Sequence, residues 1–280
     1  MKILVVGSGG REHAIVRKLK ESPQVEAVLC APGNGGISRD AACFPVNAMD
    51  KEGMLALAQE QQVDLVFVAP DDPLAAGMVD FLEAAGIPCF GPNAAAAQIE
   101  ASKVFSKNLM KKYRIPTAGY EVFADPAAAL EYIKDQGKYP AVIKADGLAL
   151  GKGVIIAQNE EEAKAALHSI MEDKIFGESG AHVVVEEFLT GPEVSVLAFT
   201  DGKAMCPMVS SMDHKRAYDG DKGPNTGGMG TISPNPFYTD EVAQQCMETI
   251  FLPTVQAMSA EGRPFKGCLY FGLMLPPEGP

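Results

Sequence analysis

A chain of 280 residues has room for about two domains of ordinary size, each large enough to bury a core. Apolar residues at 47% and charged residues at 21% are those of a globular protein, which excludes a disordered or collagen-like chain. No run approaches the ~18 uninterrupted apolar residues of a membrane span, and 36 acidic against 24 basic residues, a net charge of −12, leave no broad positive footprint for a nucleic acid.

The opening Met1-Lys2-Ile3-Leu4-Val5-Val6 enters a strand directly. Its apolar part is short for a secretory signal and meets Gly, Arg and Glu with no small-residue cleavage site, so no leader is expected. Apolar runs at 3–6, 27–30, 65–69 and 87–90 read as strands, with helical patterns between them, around 14–19, 54–61 and 73–85. Uninterrupted apolar runs suit strands buried on both faces, and the β-α-β-α order predicts an open parallel sheet covered by helices. Ligands of such sheets sit at the carboxyl ends of the strands. Those ends carry Gly7-Ser8-Gly9-Gly10, Ala31-Pro32-Gly33-Asn34-Gly35-Gly36, Pro70-Asp71-Asp72-Pro73 and Gly91-Pro92-Asn93. Asp71-Asp72 reads as a helix start, with Pro73 at its first position.

Residues 94–112 read as one helix. The pattern then changes: strand 120–123, helix 126–136, strand 141–144, a glycine-rich turn, strand 154–157, helix 160–171 and strand 183–186. Two strands flanking one glycine-rich turn predict a hairpin, so this module is α+β. Further strands are expected at 194–200, 205–208 and 268–275, a helix near 240–260, and a long polar loop at 213–230. The six cysteines, of which Cys30 and Cys43 are the nearest pair at 13 positions, have no zinc spacing and read as reduced core residues of a cytoplasmic protein.

Gly7-Ser8-Gly9-Gly10-Arg11-Glu12 follows a strand and opens a helix, where backbone amides and the helix dipole can hold a phosphate. Glu12 replaces the last glycine of the dinucleotide fingerprint, and no acidic residue follows the second strand, which disfavours a nicotinamide cofactor. The simpler alternative is a tight turn that needs glycine for steric reasons. Lys144-Ala145-Asp146-Gly147-Leu148-Ala149-Leu150-Gly151-Lys152-Gly153 is not a P-loop: three residues separate Gly147 from Gly151, and Gly153 stands where Ser or Thr would hold magnesium. A glycine-rich hairpin with lysines at its base and tip suits a lid over a polyphosphate; alone, it is also compatible with an ordinary surface hairpin. Val183-Val184-Val185-Glu186-Glu187 reads most simply as a solvated acidic strand end. In Asp213-His214-Lys215-Arg216 and Gly223-Pro224-Asn225-Thr226-Gly227-Gly228-Met229-Gly230, the cations suit an anionic substrate and the backbone suits an anion nest. A mobile surface loop is the alternative there.

Together these segments resemble the glycinamide ribonucleotide synthetase family of the ATP-grasp superfamily, along essentially the whole chain: Gly7-Ser8-Gly9-Gly10-Arg11-Glu12-His13, Ala31-Pro32-Gly33-Asn34, the lysine–glycine hairpin from Lys144, Glu186-Glu187-Phe188-Leu189, and above all Asp213 to Gly230. The resemblance implies a Rossmann-like N-terminal domain (1–101), a linker helix region (102–116), an ATP-grasp lid (117–190) and a central subdomain (191–280), incomplete because the family's magnesium-binding Glu and Asn are expected beyond Pro280. It implies ATP-driven joining of glycine to phosphoribosylamine, with Mg2+ or Mn2+, in a monomer that contacts neither membrane nor nucleic acid. Lys103, Lys144, Gly147, Gly151, Lys152, Gly153, Glu186, Phe188, Leu189 and Glu193 would then meet ATP. Gly9, Gly10, Arg11, Asp213, Lys215, Asn225, Thr226, Gly227, Gly228, Met229 and Gly230 would meet the other substrates, with Lys144, Lys152, Asp213 and Lys215 carrying the catalysis. Another ATP-grasp carboxylate–amine ligase, or a nucleotide-binding fragment without turnover, is the competing expectation.

Overall fold

The computed structural model describes residues 1–148, 153–220 and 222–280. They form two units, residues 1–98 with 265–267, and residues 99–264 with 268–280. In the first unit, strands β1 (Lys2–Gly7), β2 (Ala27–Pro32), β3 (Ala42–Cys43), β4 (Leu65–Val68) and β5 (Cys89–Phe90) lie parallel in the order β3-β2-β1-β4-β5. The central strand explains its own apolar run. Leu4 and Val6 pack on one face with Met54, Leu57, Met78 and Leu82, while Val5 packs on the other with Val16, Val28, Cys30 and Ile37. Helices α1 (Gly10–Lys20) and α2 (Lys51–Glu60) lie where the pattern predicts. The helix expected over 73–85 is two, α3 (Asp71–Ala75) and α4 (Met78–Ala84). Gly77 breaks it with a φ of +83°, a left-handed conformation that costs glycine least, and Pro73 becomes the third helical residue instead of the first.

The helix expected over 94–112 is also divided, into α5 (Ala94–Ala101) and α6 (Lys103–Tyr113). Ser102 between them is extended, and its hydroxyl accepts the Phe105 amide as a helix cap. In the second unit, β6 (Tyr120–Phe123), β7 (Ala141–Ala145), β8 (Val154–Ala157) and β9 (Val183–Glu187) form an antiparallel sheet in the order β6-β9-β7-β8. The predicted hairpin is the β7–β8 pair. Helices α7 (Pro126–Gln136) and α8 (Glu160–Leu167), the latter continued by a wider π turn through His168–Glu172, supply Ala129, Ile133, Leu167 and Ile170 to a core with Ile143, Val183 and Val185. Side chains alternate across a strand, so Lys144 and Glu186 occupy the sheet face opposite that core.

A second sheet has the order β11-β10-β14, from β10 (Glu193–Thr200), β11 (Met205–Pro207) and β14 (Gly267–Met274). The expected loop at 213–230 is instead an antiparallel ribbon of β12 (Met212–Tyr218) and β13 (Lys222–Ile232). Glycine-rich β13 pairs through its backbone, so it shows none of the side-chain alternation that marks a strand in sequence. The helix expected near 240–260 is built from α9 (Asp240–Cys246), a π turn at Met247–Phe251 and α10 (Leu252–Ala260). Among the described residues no helix is long and apolar enough to cross a membrane. All six cysteines are free, and burial pushes the Cys30 and Cys89 thiols up to about 12; Cys206, on the edge strand β11, is exposed and departs from the expectation of a core residue.

Gly191 leads into β10 with a φ of +138°, and a β-carbon there would press into the Leu275 carbonyl group. Gly191→Ala is therefore expected to destabilise the fold by ~2–3 kcal/mol, combining backbone strain with a backbone clash. Chemical denaturation measures it, and an unchanged unfolding midpoint would contradict this account of the close approach of Gly191 to Leu275.

Candidate active site

Glu186, the last residue but one of β9, is only 7% exposed. The expectation of a solvated strand end fails here and holds for its neighbour Glu187, because successive residues face opposite sides of the sheet. Lys144 Nζ on β7 donates to Glu186 Oε2 at 2.8 Å. The register pairs Lys144 with Val184 and Val142 with Glu186, so the two charged residues are diagonal neighbours, within reach for long side chains. Lys107 Nζ on α6 stands 3.4 Å from the same oxygen. It also donates to Thr117 Oγ1 at 2.7 Å and to the Ala118 carbonyl at 3.1 Å.

Lys103, at the start of α6, donates to the Gly147 carbonyl at 2.7 Å, at the base of the glycine-rich hairpin. Asp146 accepts from Ser102 Oγ at 3.1 Å, the Val104 amide at 3.2 Å and the Gly147 amide at 3.0 Å, tying that hairpin to the same helix end. Burial holds both Lys103 and Lys107 below the ordinary lysine value, opposed by Asp146 and Glu186 respectively. Gly153 completes the hairpin through its carbonyl, which accepts the Ala145 amide at 2.8 Å. Gly151 and Lys152 lie outside the described residues. Phe188 is exposed and Leu189 half-buried, just beyond β9.

A second group lies on the β10 sheet and the β12–β13 ribbon. Lys215 Nζ donates to Glu193 Oε1 at 2.5 Å and stands 3.6 Å from Asp213 Oδ2. Burial opposes the charge on Lys215, but the bond to Glu193 and its negative charge outweigh it and raise the ammonium above the usual value. Tyr270 on β14 shares a 3.0 Å hydrogen bond with Ser195 on β10. The buried Asn235 amide donates to the carbonyls of Glu193, at 2.9 Å, and Ser211, at 3.2 Å, fixing β10 against the start of the ribbon. The ribbon is irregular where the sequence is richest in glycine. His214 pairs with Gly230 and Arg216 with Asn225, so residues 226–229 bulge opposite Lys215. Thr226 Oγ1 donates to the Lys215 carbonyl at 2.9 Å and accepts the Gly228 amide at 3.1 Å; Gly227 and Met229 are exposed.

In the first unit, Gly9 caps α1 and its amide is taken by Glu12 Oε2, while Gly10 and Arg11 open the helix and are exposed. Asn34 Nδ2 donates to the Ser8 carbonyl at 2.7 Å, and Asn34 Oδ1 accepts the Gly36 and Ile37 amides, joining the turns after β1 and β2. Asp71 is held above the usual carboxylate value by burial, with Arg11 opposing.

Lys107, Asp146, Ser102, Asn34 and Asn235 were not singled out from sequence as site residues. Lys107 alone had a legible signal, its four-residue spacing from Lys103. Among the described residues no three His, Cys, Asp or Glu side chains converge to hold a metal ion, so the donor set of a resident metal is not met by them and no step below runs through one.

Removing Glu186 leaves Lys107 buried without its carboxylate. Glu186→Ala is expected to cost ~3–5 kcal/mol of stability, and Glu187→Ala, which removes one bond to the Gly119 amide, about 1 kcal/mol. Equal losses in urea denaturation would refute the buried pair.

The description "Phosphoribosylglycinamide synthetase, N domain" matches residues 1–100, and "Phosphoribosylglycinamide synthetase, ATP-grasp (A) domain" matches residues 101–280. The chain is 50% identical to phosphoribosylamine–glycine ligase of Xylella fastidiosa and 48% identical to that of Escherichia coli, over its full length in both cases. It spans 65% of the length of each of these relatives. Among solved structures, phosphoribosylamine–glycine ligase of Thermotoga maritima superposes with a TM-score of 0.82 at 35% identity, over 100% of this chain and 67% of that one. A biotin carboxylase–β,γ-ATP complex from Campylobacter jejuni gives 0.79 at 16% identity, over 100% of this chain and 63% of that one, a likeness of fold alone.

Proposed function

The chain belongs to the phosphoribosylglycinamide synthetase family, and from that premise we propose that it binds ATP and serves the ligation of glycine to 5-phosphoribosylamine in purine biosynthesis. The observation that carries this reading is the lysine group at the hairpin: Lys144 on Glu186, with Lys103 on the Gly147 carbonyl. Lysines beside a glycine-rich turn neutralise polyphosphate charge while main-chain amides meet its oxygens.

In this reading a glycine carboxylate oxygen attacks the γ-phosphorus of ATP, releasing ADP and forming glycyl phosphate. The phosphoribosylamine nitrogen then attacks the acyl carbon, the amide forms, phosphate leaves with the C–O electron pair, and the amine gives up a proton. Neither step needs a protein nucleophile; both need reactants held in line and charge screened. Lys103, Lys144, Lys152 and the glycines of the hairpin take the phosphates in this scheme. The strand end from Glu186 to Leu189 takes the adenine and Glu193 the ribose. Lys215, Asp213 and the bulged main chain of 226–230 take anionic substrate groups, and the α1 turn at Gly9, Gly10 and Arg11 a phosphate. We assign the same domain limits as above, 1–101, 102–116, 117–190 and 191–280. The family is also expected to use a divalent metal, and the free thiols suit a reducing cytoplasm.

The test is phosphate release from ATP that requires glycine and phosphoribosylamine together. Release driven by a different carboxylate substrate would overturn the assignment of substrates. Lys144→Ala is expected to weaken ATP binding about 10- to 100-fold, the worth of a charge-assisted hydrogen bond, with no change in circular dichroism. Calorimetric titration showing wild-type affinity would remove Lys144 from the nucleotide site.

A further inference from the structure

Lys107 belongs to none of the site motifs, yet among the described lysines it is the buried one, 6% exposed. Its ammonium is fastened on three oxygens, those of Thr117, Ala118 and Glu186, and the Tyr120 ring centroid lies 5.2 Å away. An ammonium has three donors, so these acceptors use its capacity and leave it nothing to offer a ligand. The Glu186 oxygen it faces is the one that Lys144 holds. One carboxylate between two ammoniums leaves one positive charge over. Burial decides where that charge acts: Lys107 is enclosed, whereas the Lys144 side chain is 28% exposed.

We infer that Lys107 is a positioning residue for the nucleotide: it neutralises Glu186 from behind and so frees the charge of Lys144 for a phosphate oxygen. The inference rests on the ATP-binding reading above. Without Lys107, Glu186 and Lys144 form a closed one-to-one pair, and a polyphosphate must break that pair or meet one cation fewer. Lys103, which gives one of its three donors to the Gly147 carbonyl, is a separate phosphate contact in that reading and does not restore the charge that Glu186 would take from Lys144.

A double-mutant cycle tests this, with ATP as the probe and calorimetric titration as the readout. Lys107→Met is expected to weaken ATP binding about tenfold in the otherwise wild-type chain, but less than about threefold in a Glu186→Gln background, where no carboxylate remains to capture Lys144. Equal losses in both backgrounds would mean that Lys107 acts only by supporting the fold and would overturn the inference. So would unchanged affinity of Lys107→Met. A wild-type chain that binds no ATP overturns the nucleotide reading itself, a result distinct from either. Should Lys107→Met not fold alone, the comparison of Lys107→Met/Glu186→Gln with Glu186→Gln decides, since a loss above threefold there contradicts charge balance.

Discussion

A carboxylate buried between two ammonium groups constrains most of what surrounds it. Taking Glu186 out of water costs several kcal/mol, and only close, well-directed cations offset that. Lys144 comes from the neighbouring strand and Lys107 from a helix, so the β7–β9 register and the placement of α6 must both be right for the charge to be met. The Ser102 cap serves that requirement. By ending α5 and starting α6 afresh, it sets which face of α6 carries Lys103 and Lys107, and its hydroxyl donates to Asp146 at the foot of the hairpin. Helix α6 thus reaches both the hairpin base, through Lys103, and the buried carboxylate, through Lys107.

The group around Lys215 is built on different terms. Its carboxylates, Glu193 and Asp213, are half-exposed, so charge there is screened by water and the pairs contribute less to stability. Rigidity comes from neutral contacts instead: the buried Asn235 amide on two carbonyls, and the Ser195–Tyr270 hydroxyl pair across β10 and β14. In the proposed reaction, the first group suits tight holding of a polyphosphate and the second suits reactants that must be exchanged at each turnover.

The parallel sheet was legible because its strands are apolar on both faces, and the antiparallel module because each helix and strand has ordinary propensities and caps, such as Asp125 before Pro126. The breaks were harder to read. Gly77 and Ser102 each interrupt a continuous helical pattern with one residue, and periodicity over a window averages such a residue away. The β12–β13 ribbon was hidden for the opposite reason, since glycine writes no side-chain pattern at all. For the site, the lysines and glycines stood out by type and spacing. The Glu186 environment did not, because whether a strand end is solvated depends on what packs over it, and Lys107 approaches it from α6.

The bulge at 226–229 presents Thr226, Gly227, Gly228 and Met229 opposite Lys215, and none of these side chains ionises between acid and alkaline pH. What that stretch offers a ligand is peptide dipoles, whose sign and strength do not titrate. In the proposed reaction, the hydrogen-bonding surface of that stretch therefore stays constant as the pH changes, whatever charge its ligand carries.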